Sequence, residues 1–196
     1  TKYIFSQDHK IIGLQYGITS LLFLLFGFSL MIVMRYQMVN SGTISPDMYN
    51  SFGAMHGTIM VFLGVVPIVV GAFGNYFVPL QIGAPDMAFP KLNMASYWAY
   101  FWGGIFMLSG FFLPGGAANS GWTSYPPLAD IATTGQTVWL IGMVFLITSS
   151  LLGFIDVFMP VSFVVNQSLP PTQLPKFESL IPHFLSKSNI CYPKRV

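Results

Sequence analysis

Four long apolar stretches restrict this sequence to a membrane fold. Hydrophobic residues make up 54% of its 196 residues and charged residues only 7%, a balance that ordinary soluble domains of this size do not show. Each stretch is long enough to cross roughly 30 Å of hydrocarbon as a helix, and none alternates in polarity as the strands of a membrane β-barrel do. The sequence therefore predicts an all-α, polytopic membrane helical bundle with four transmembrane helices, at about 14–36, 53–81, 95–114 and 137–159.

The distribution of basic residues predicts how these helices are oriented. All but Arg35 lie before the first helix, between the second and third, or after the fourth (Lys2, Lys10, Lys91, Lys176, Lys187, Lys194 and Arg195). By the positive-inside rule, both termini are expected on the cytoplasmic side, or on the matrix side in an organelle. The net charge of +2 gives no reason to infer nucleic-acid binding. The single cysteine, Cys191, excludes an intrachain disulfide.

His56 is the most informative single residue, because it lies within an uncharged apolar stretch. A titratable side chain in such surroundings must be hydrogen-bonded or bound to a metal. One interpretation is a single hydrogen bond to a neighbouring helix, and the other is ligation of heme or another metal by the neutral imidazole. The residue alone leaves both open.

Glycines at positions 53, 57, 64 and 71 form one stripe on the second predicted helix. Such a stripe indicates that something approaches the backbone closely, which is either another helix or a flat macrocycle. Pro67, in the middle of the same helix, frees a backbone carbonyl, and a mild kink is expected there.

Distinctive motifs lie at 6–13, 55–62, 71–76, 82–90, 121–128 and 149–153. Together they resemble subunit I of cytochrome c oxidase, in the heme-copper oxidase superfamily. The resemblance implies that residues 1–160 are the N-terminal part of a twelve-helix subunit I fold. The segment 161–196 is a proline-rich cytoplasmic tail without family resemblance, which its composition predicts to be extended or disordered.

The resemblance also implies a heme site. His56 is similar to the axial ligand of the low-spin heme a, and Arg35 to the arginine that contacts the heme formyl group. Trp122 and Tyr125 resemble residues near the heme propionates. On residue type alone, Arg35 could instead extend to lipid headgroups, and the two aromatic residues could be interfacial anchors. His9 and His183 lie outside the predicted helices and are expected to be solvated surface histidines.

A proton channel is the second site that the resemblance implies. Asp86 is similar to the aspartate at the channel mouth, and the channel-lining residues are expected to be Asn75, Asn93, Ser149, Ser150 and Asp156. The family usually has asparagine at the position of Asp156, so a buried carboxylate there is expected to alter proton pumping. The alternatives are a turn or cap role for Asp86, and an early end of the fourth helix that leaves Asp156 at the membrane interface.

These expectations describe the N-terminal portion of the catalytic subunit of a terminal respiratory oxidase. The resemblance implies electron transfer from cytochrome c or quinol through heme to O2, giving water, coupled to proton pumping in aerobic respiration and oxidative phosphorylation. The high-spin heme, the copper and the remaining ligands would come from the rest of subunit I, together with other oxidase subunits, in a bacterial cytoplasmic membrane or mitochondrial inner membrane. A split, truncated or frame-disrupted subunit would each give such a chain. The alternative is a non-catalytic membrane fragment or structural or assembly partner with weak heme binding.

Overall fold

The computed structural model describes residues 3–83, 86–132 and 134–168, and this part of the chain contains helices and no strand. The long helices are α1 (His9–Val39), α2 (Pro46–Ile82), α3 (Pro90–Ser109, extended by a 3-10 turn at Gly110–Phe112) and α4 (Thr134–Ser168). A single helical turn, Leu128–Ile131, lies in the loop before α4. The predicted all-α class is confirmed.

The helices extend beyond most of the boundaries that hydropathy predicts, because capping residues rather than the hydrocarbon edge decide where they begin. The Asp8 carboxylate accepts the backbone N–H of Lys10 at 2.8 Å and starts α1. The Ser45 hydroxyl accepts the N–H of Met48 at 3.3 Å and starts α2, with Pro46 in its first turn.

The fourth helix also ends later than predicted. It passes through Pro160 and continues to Ser168, so residues 161–168 are helical and not extended. A proline in a membrane helix is tolerated because neighbouring groups can satisfy the carbonyl that it frees. The rest of the predicted tail, 169–196, lies outside the described residues.

Three helices in the described part of the chain, α1, α2 and α4, are long and apolar enough to cross a membrane. Helix α3 has 20 residues but is more polar, since its first turns contain Lys91, Asn93 and Ser96 and its middle is rich in tyrosine and tryptophan. The chain is therefore an integral membrane protein with at least these three candidate spans.

The helices pack as two pairs, α1 with α2 and α3 with α4, and α1 also contacts α3. In the second pair the backbones meet at two glycines. A Cβ atom on Gly103 would lie 3.0 Å from the carbonyl oxygen of Gly142, and one on Gly142 would lie 2.9 Å from the oxygen of Gly103. Beside this close approach lies the buried hydrophobic core, which includes Tyr100, Phe23 and Met107.

Pro67 determines the local geometry of α2. In an α-helix its missing N–H would have bonded to the carbonyl of Leu63. The structure has π-helical segments on both sides, Ile59–Val65 and Pro67–Gly74. The hydroxyl of Tyr100 on α3 donates to the oxygen of Leu63 at 2.7 Å, so the neighbouring helix satisfies the freed carbonyl.

The contact between the two glycines predicts a stability effect. We expect Gly142→Ala to lower the free energy of unfolding by about 1–3 kcal/mol, because the new methyl group forces the two backbones apart. Gly74→Ala is the matched control, since a Cβ atom there meets nothing within 4 Å. Thermal unfolding in mild detergent, followed by tryptophan fluorescence, measures the difference. Equal melting temperatures for the two variants would contradict the close approach.

Candidate functional site

The imidazole of His56 is held by the backbone of α1. Its Nδ1 lies 2.8 Å from the carbonyl oxygen of Gly27, and because a carbonyl can only accept, Nδ1–H is the donor. In the neutral ring, Nε2 then carries the free lone pair. The hydrogen bond to a neighbouring helix is therefore present, and it is also the bond that fixes the tautomer of a metal-ligating histidine. The two interpretations of His56 are compatible.

Gly27 makes this bond possible because it lets α1 and α2 approach closely. A Cβ atom at Gly27 would lie 3.0 Å from the sulfur of Met60 and 3.1 Å from Cγ2 of Ile59. A larger residue would push α2 away and lengthen the bond to His56. The carbonyl of Gly27 has two lone pairs, so it can accept from the imidazole as well as from its own helix.

The glycines of the stripe on α2 lie in two different kinds of surroundings. Cβ atoms at Gly64 and Gly71 would collide with the side chains of Leu24 and Tyr16 on α1, so these two positions permit helix packing. At Gly57, directly after His56, a Cβ atom would meet nothing within 4 Å. His56 is half-buried beside this open position. This face therefore has room for a flat macrocycle, and Nε2 of His56 is available to ligate a metal there.

The other residues expected near the heme do not contact His56 directly. Arg35 is exposed, eight residues after Gly27 and so about 12 Å further along α1. The ring of Trp122 lies 6.0 Å from that of Phe62 on α2, while Tyr125 is 71% exposed. Within the described part of the chain no hydrogen bond joins Arg35, Trp122 or Tyr125 to His56.

A cluster of polar side chains lies in the half of the bundle where α1 begins. We call this half the His9 end. The hydroxyl of Tyr16 lies 3.0 Å from Oγ of Ser96 and 3.2 Å from Oγ of Ser149. Ser149 donates to the carbonyl of Ser96 at 2.7 Å, and Ser96 to that of Asn93 at 2.8 Å. Since both serine hydrogens are used, the Tyr16 hydroxyl must donate to one of the serines. This network connects α1, α3 and α4.

Tyr16 and Ser96 were missed by the sequence analysis. Tyr16 is 5% exposed within an apolar run, and a buried tyrosine hydroxyl normally needs a partner. That requirement is the signal that could have identified Tyr16 as part of a polar site. Ser96 carries no such signal, because serine is common at membrane helix interfaces.

Several predicted channel residues are buried with polar atoms that no protein group satisfies. Asn93 is 1% exposed, and both its amide nitrogen and its amide oxygen lack a partner among the described residues. The same holds for Oδ1 of Asn75 and Oδ2 of Asp156. Buried polar atoms are costly unless ordered water bonds to them. These atoms, from α2, α3 and α4, are therefore suited to hold water inside the bundle.

Asp156 is fully buried and α4 continues beyond it to Ser168, so the alternative in which the fourth helix ends early is wrong. Its Oδ1 accepts the backbone N–H of Phe89 at 2.6 Å, which attaches α4 to the loop before α3. Asp86 lies near enough to interact with Asp156 electrostatically. The Asp86 carboxylate also accepts the backbone N–H of Met87, the next residue, at 2.8 Å.

The burial of Ser150 and of His9 is the reverse of what the sequence predicts. Ser150 is exposed on α4, and only its neighbour Ser149 joins the buried network. The expectation of a solvated His9 is wrong, since this residue is 2% exposed and its Nδ1–H donates to the carbonyl of Asn75 at 2.9 Å. The bond connects the start of α1 to α2. His183 lies outside the described residues.

Comparison with known proteins identifies the family to which the chain belongs. A family model described as cytochrome c and quinol oxidase polypeptide I matches residues 11–177, which includes the first part of the segment after residue 160. Cytochrome c oxidase subunit 1 of Thermostichus vulcanus is 43% identical over 178 residues, covering 89% of this chain and 32% of the relative. The subunit 1 of Synechocystis sp. is 43% identical over 157 residues, covering 79% and 28%.

The alternative cytochrome c oxidase subunit 1 of Bradyrhizobium diazoefficiens is 42% identical over 155 residues, covering 78% of this chain and 26% of the relative. The chain thus spans about a third or less of the length of these curated relatives. The family match, by contrast, covers most of the chain, including α1, α2, α3 and α4. The chain belongs to the cytochrome c and quinol oxidase polypeptide I family.

Proposed function

We propose that this chain forms the N-terminal portion of the catalytic subunit of a terminal respiratory oxidase. The complete enzyme transfers electrons from cytochrome c or quinol through heme to O2, gives water, and couples this reaction to proton pumping. The observation that carries the proposal is the imidazole of His56, whose Nδ1–H is bonded to Gly27 while Nε2 is free beside the open position of Gly57.

In this proposal His56 is an axial ligand of low-spin heme a. Heme, when bound, supplies reversible one-electron chemistry whose potential depends on its ligands and on nearby charges and hydrogen bonds. The Gly27 carbonyl orients the ring and increases the basicity of Nε2. Arg35 would donate to the formyl group, where its positive charge would favour the reduced state, and Trp122 and Tyr125 would be the residues near the propionates.

The remaining ligands come from the rest of subunit I. The chain contains three histidines, and His9 is already committed to the Asn75 carbonyl at the far end of α1. The second axial ligand, the high-spin heme and the copper therefore belong to further helices of the subunit, and other oxidase subunits complete the complex.

We also propose that the buried polar residues at the His9 end form the entrance of a proton channel. Asp86 is its mouth, and the residues along it are Asn75, Asn93, Ser149 and Asp156, whereas the exposed Ser150 lies outside it. The unpartnered amide and carboxylate atoms support this assignment, because they can order the water through which protons move. Asp156 can hold a proton where the family has a neutral amide, which would change how uptake is coupled to pumping.

The membrane placement proposed here has four spans, with α3 included and with both termini on the cytoplasmic or matrix side. Helix α3 is long enough, since 20 residues extend about 30 Å. Its packing along α4 also protects its polar residues from lipid: Asn93 and Ser96 are both 1% exposed. The basic residues that decide the orientation are those outside the helices.

The heme assignment is tested by the reduced-minus-oxidised absorption spectrum of the complex that contains this chain. We expect His56→Ala to abolish the heme a band, because the substitution removes the imidazole that would ligate the iron. His9→Gln is the control and should keep the band, since His9 binds only a backbone carbonyl. A persistent band in His56→Ala would refute the assignment. A parent protein without any heme band would instead favour the non-catalytic alternative.

The formyl contact predicts a separate effect of Arg35. We expect Arg35→Leu to lower the midpoint potential of heme a and to shift its reduced band to shorter wavelength, because the guanidinium no longer withdraws electron density. Redox titration of the purified complex measures both quantities. Lys91→Gln removes an equal charge at the opposite end of the bundle and should change neither. If Arg35→Leu behaves like this control, Arg35 serves only the lipid interface.

The proton channel predicts a kinetic effect of Asn93. Replacing it by leucine removes the amide that holds water, a cost of about 1–3 kcal/mol that corresponds to a loss of turnover of roughly 5- to 150-fold. Oxygen consumption and proton release by the complex in sealed vesicles measure the loss. Ser150→Ala, on an exposed face, is the comparison variant and should be nearly silent. Normal turnover in Asn93→Leu would rule out a water chain at this position.

A further inference from the structure

An apolar groove of about 400 Å³ lies where α1 meets the last turns of α2, near the His9 end. Its floor consists of Gly13 and Gly17 of α1 and Ala72 of α2. A Cβ atom at Gly13 would lie 3.0 Å from the Ala72 carbonyl, and one at Gly17 would lie 3.6 Å from the Ala72 Cβ. The two backbones therefore touch along the floor, and the larger side chains diverge on either side.

The walls of the groove face out of the bundle. Leu14 and Ile18 form one wall, at 61% and 53% exposed, and Phe73 and Phe77 form the other, at 54% and 47%. This part of α1 and α2 belongs to their membrane-crossing segments. The surface is almost entirely apolar, so its occupant within the hydrocarbon must be apolar too.

The size of the groove favours a thin occupant. Its wall along α1 extends from Leu14 to Leu21, and the groove is thus about 12 Å long from Gly13. A single extended hydrocarbon chain is thin enough to lie along a groove of this length and to follow the glycine floor.

A cation lies at the end of the groove. Lys10 precedes Gly13 and Leu14 by three and four residues, so it is on the same face of α1, about one turn beyond the groove. Lys10 is exposed, and its ammonium has no ion pair among the described residues. The nearby Asp8 carboxylate is used by the backbone N–H of Lys10 at the helix cap. An apolar slot that ends below a free cation matches a lipid with an anionic headgroup.

We propose that this groove binds one acyl chain of an anionic phospholipid whose phosphate pairs with Lys10. The acyl chain covers Gly13, Gly17 and Ala72, and the ammonium of Lys10 is at the level of the headgroups. This site is independent of the heme and of the proton channel, and it requires that α1 and α2 span the membrane and that the further helices of the subunit leave this face to lipid.

The test uses the complex that contains the full chain, placed in phosphatidylcholine bilayers with a minor fraction of phosphatidylglycerol. Native mass spectrometry after mild extraction counts the lipids that remain bound. We expect one phosphatidylglycerol per copy of this chain. Lys10→Gln should reduce its retention relative to phosphatidylcholine about fivefold, the effect of one lysine at an anionic surface. Gly17→Leu should abolish retention of both lipids because its side chain fills the floor.

The matched controls are Lys91→Gln, which removes a charge away from the groove, and Gly74→Leu, whose side chain enters open space. Both should retain the lipid. Equal retention in Lys10→Gln and Lys91→Gln would overturn the proposal. A phosphatidylglycerol with a photoactivatable acyl chain gives a second readout in the unmutated complex. Cross-links within 13–21 and 68–77 support the site, whereas cross-links confined to other helices, or a protein segment covering the groove, refute it.

Discussion

The need to satisfy buried polar groups where bulk water cannot reach is the constraint on which the rest of this structure depends. Every polar group that is buried there must find a protein partner or hold a trapped water molecule. Tyr100 satisfies the carbonyl that Pro67 leaves free, and Gly27 satisfies the imidazole of His56. Both bonds connect different helices, so the demand for polar partners also determines which helices become neighbours and in what register.

Helix α1 connects the two candidate sites. Tyr16 joins the serine network at the His9 end, and Gly27 holds His56 about 16 Å further along the axis. Close packing of α1 against α2 supports both, because Gly64 and Gly71 admit side chains of α1 between the two positions. The open position of Gly57 is the exception within this packed stripe, and it lies beside the residue with a free metal-binding nitrogen.

Sequence reasoning singled out buried polar residues better than it anticipated their contacts. His56 was correctly singled out, because an imidazole in an apolar run needs a specific partner. The error over His9 has a related cause. Its position before the apolar run suggested exposure to solvent, whereas α1 begins at His9, and the buried ring donates to the Asn75 carbonyl. Ser149 and Ser150 are adjacent and chemically identical, and only the rotation of α4 makes the first buried and the second exposed.

The sequence by itself determined the membrane class, the helical fold and the family, since these depend on local composition, length and motifs that do not require knowledge of neighbours. The tertiary structure decided where α4 ends, which serine faces inward and how Tyr16 and Ser96 join the polar network. It also decided that one glycine of the stripe is open while others are packed. The physical reason is that burial and hydrogen bonding between helices depend on axial rotation and distance, which a linear pattern of residue types does not contain.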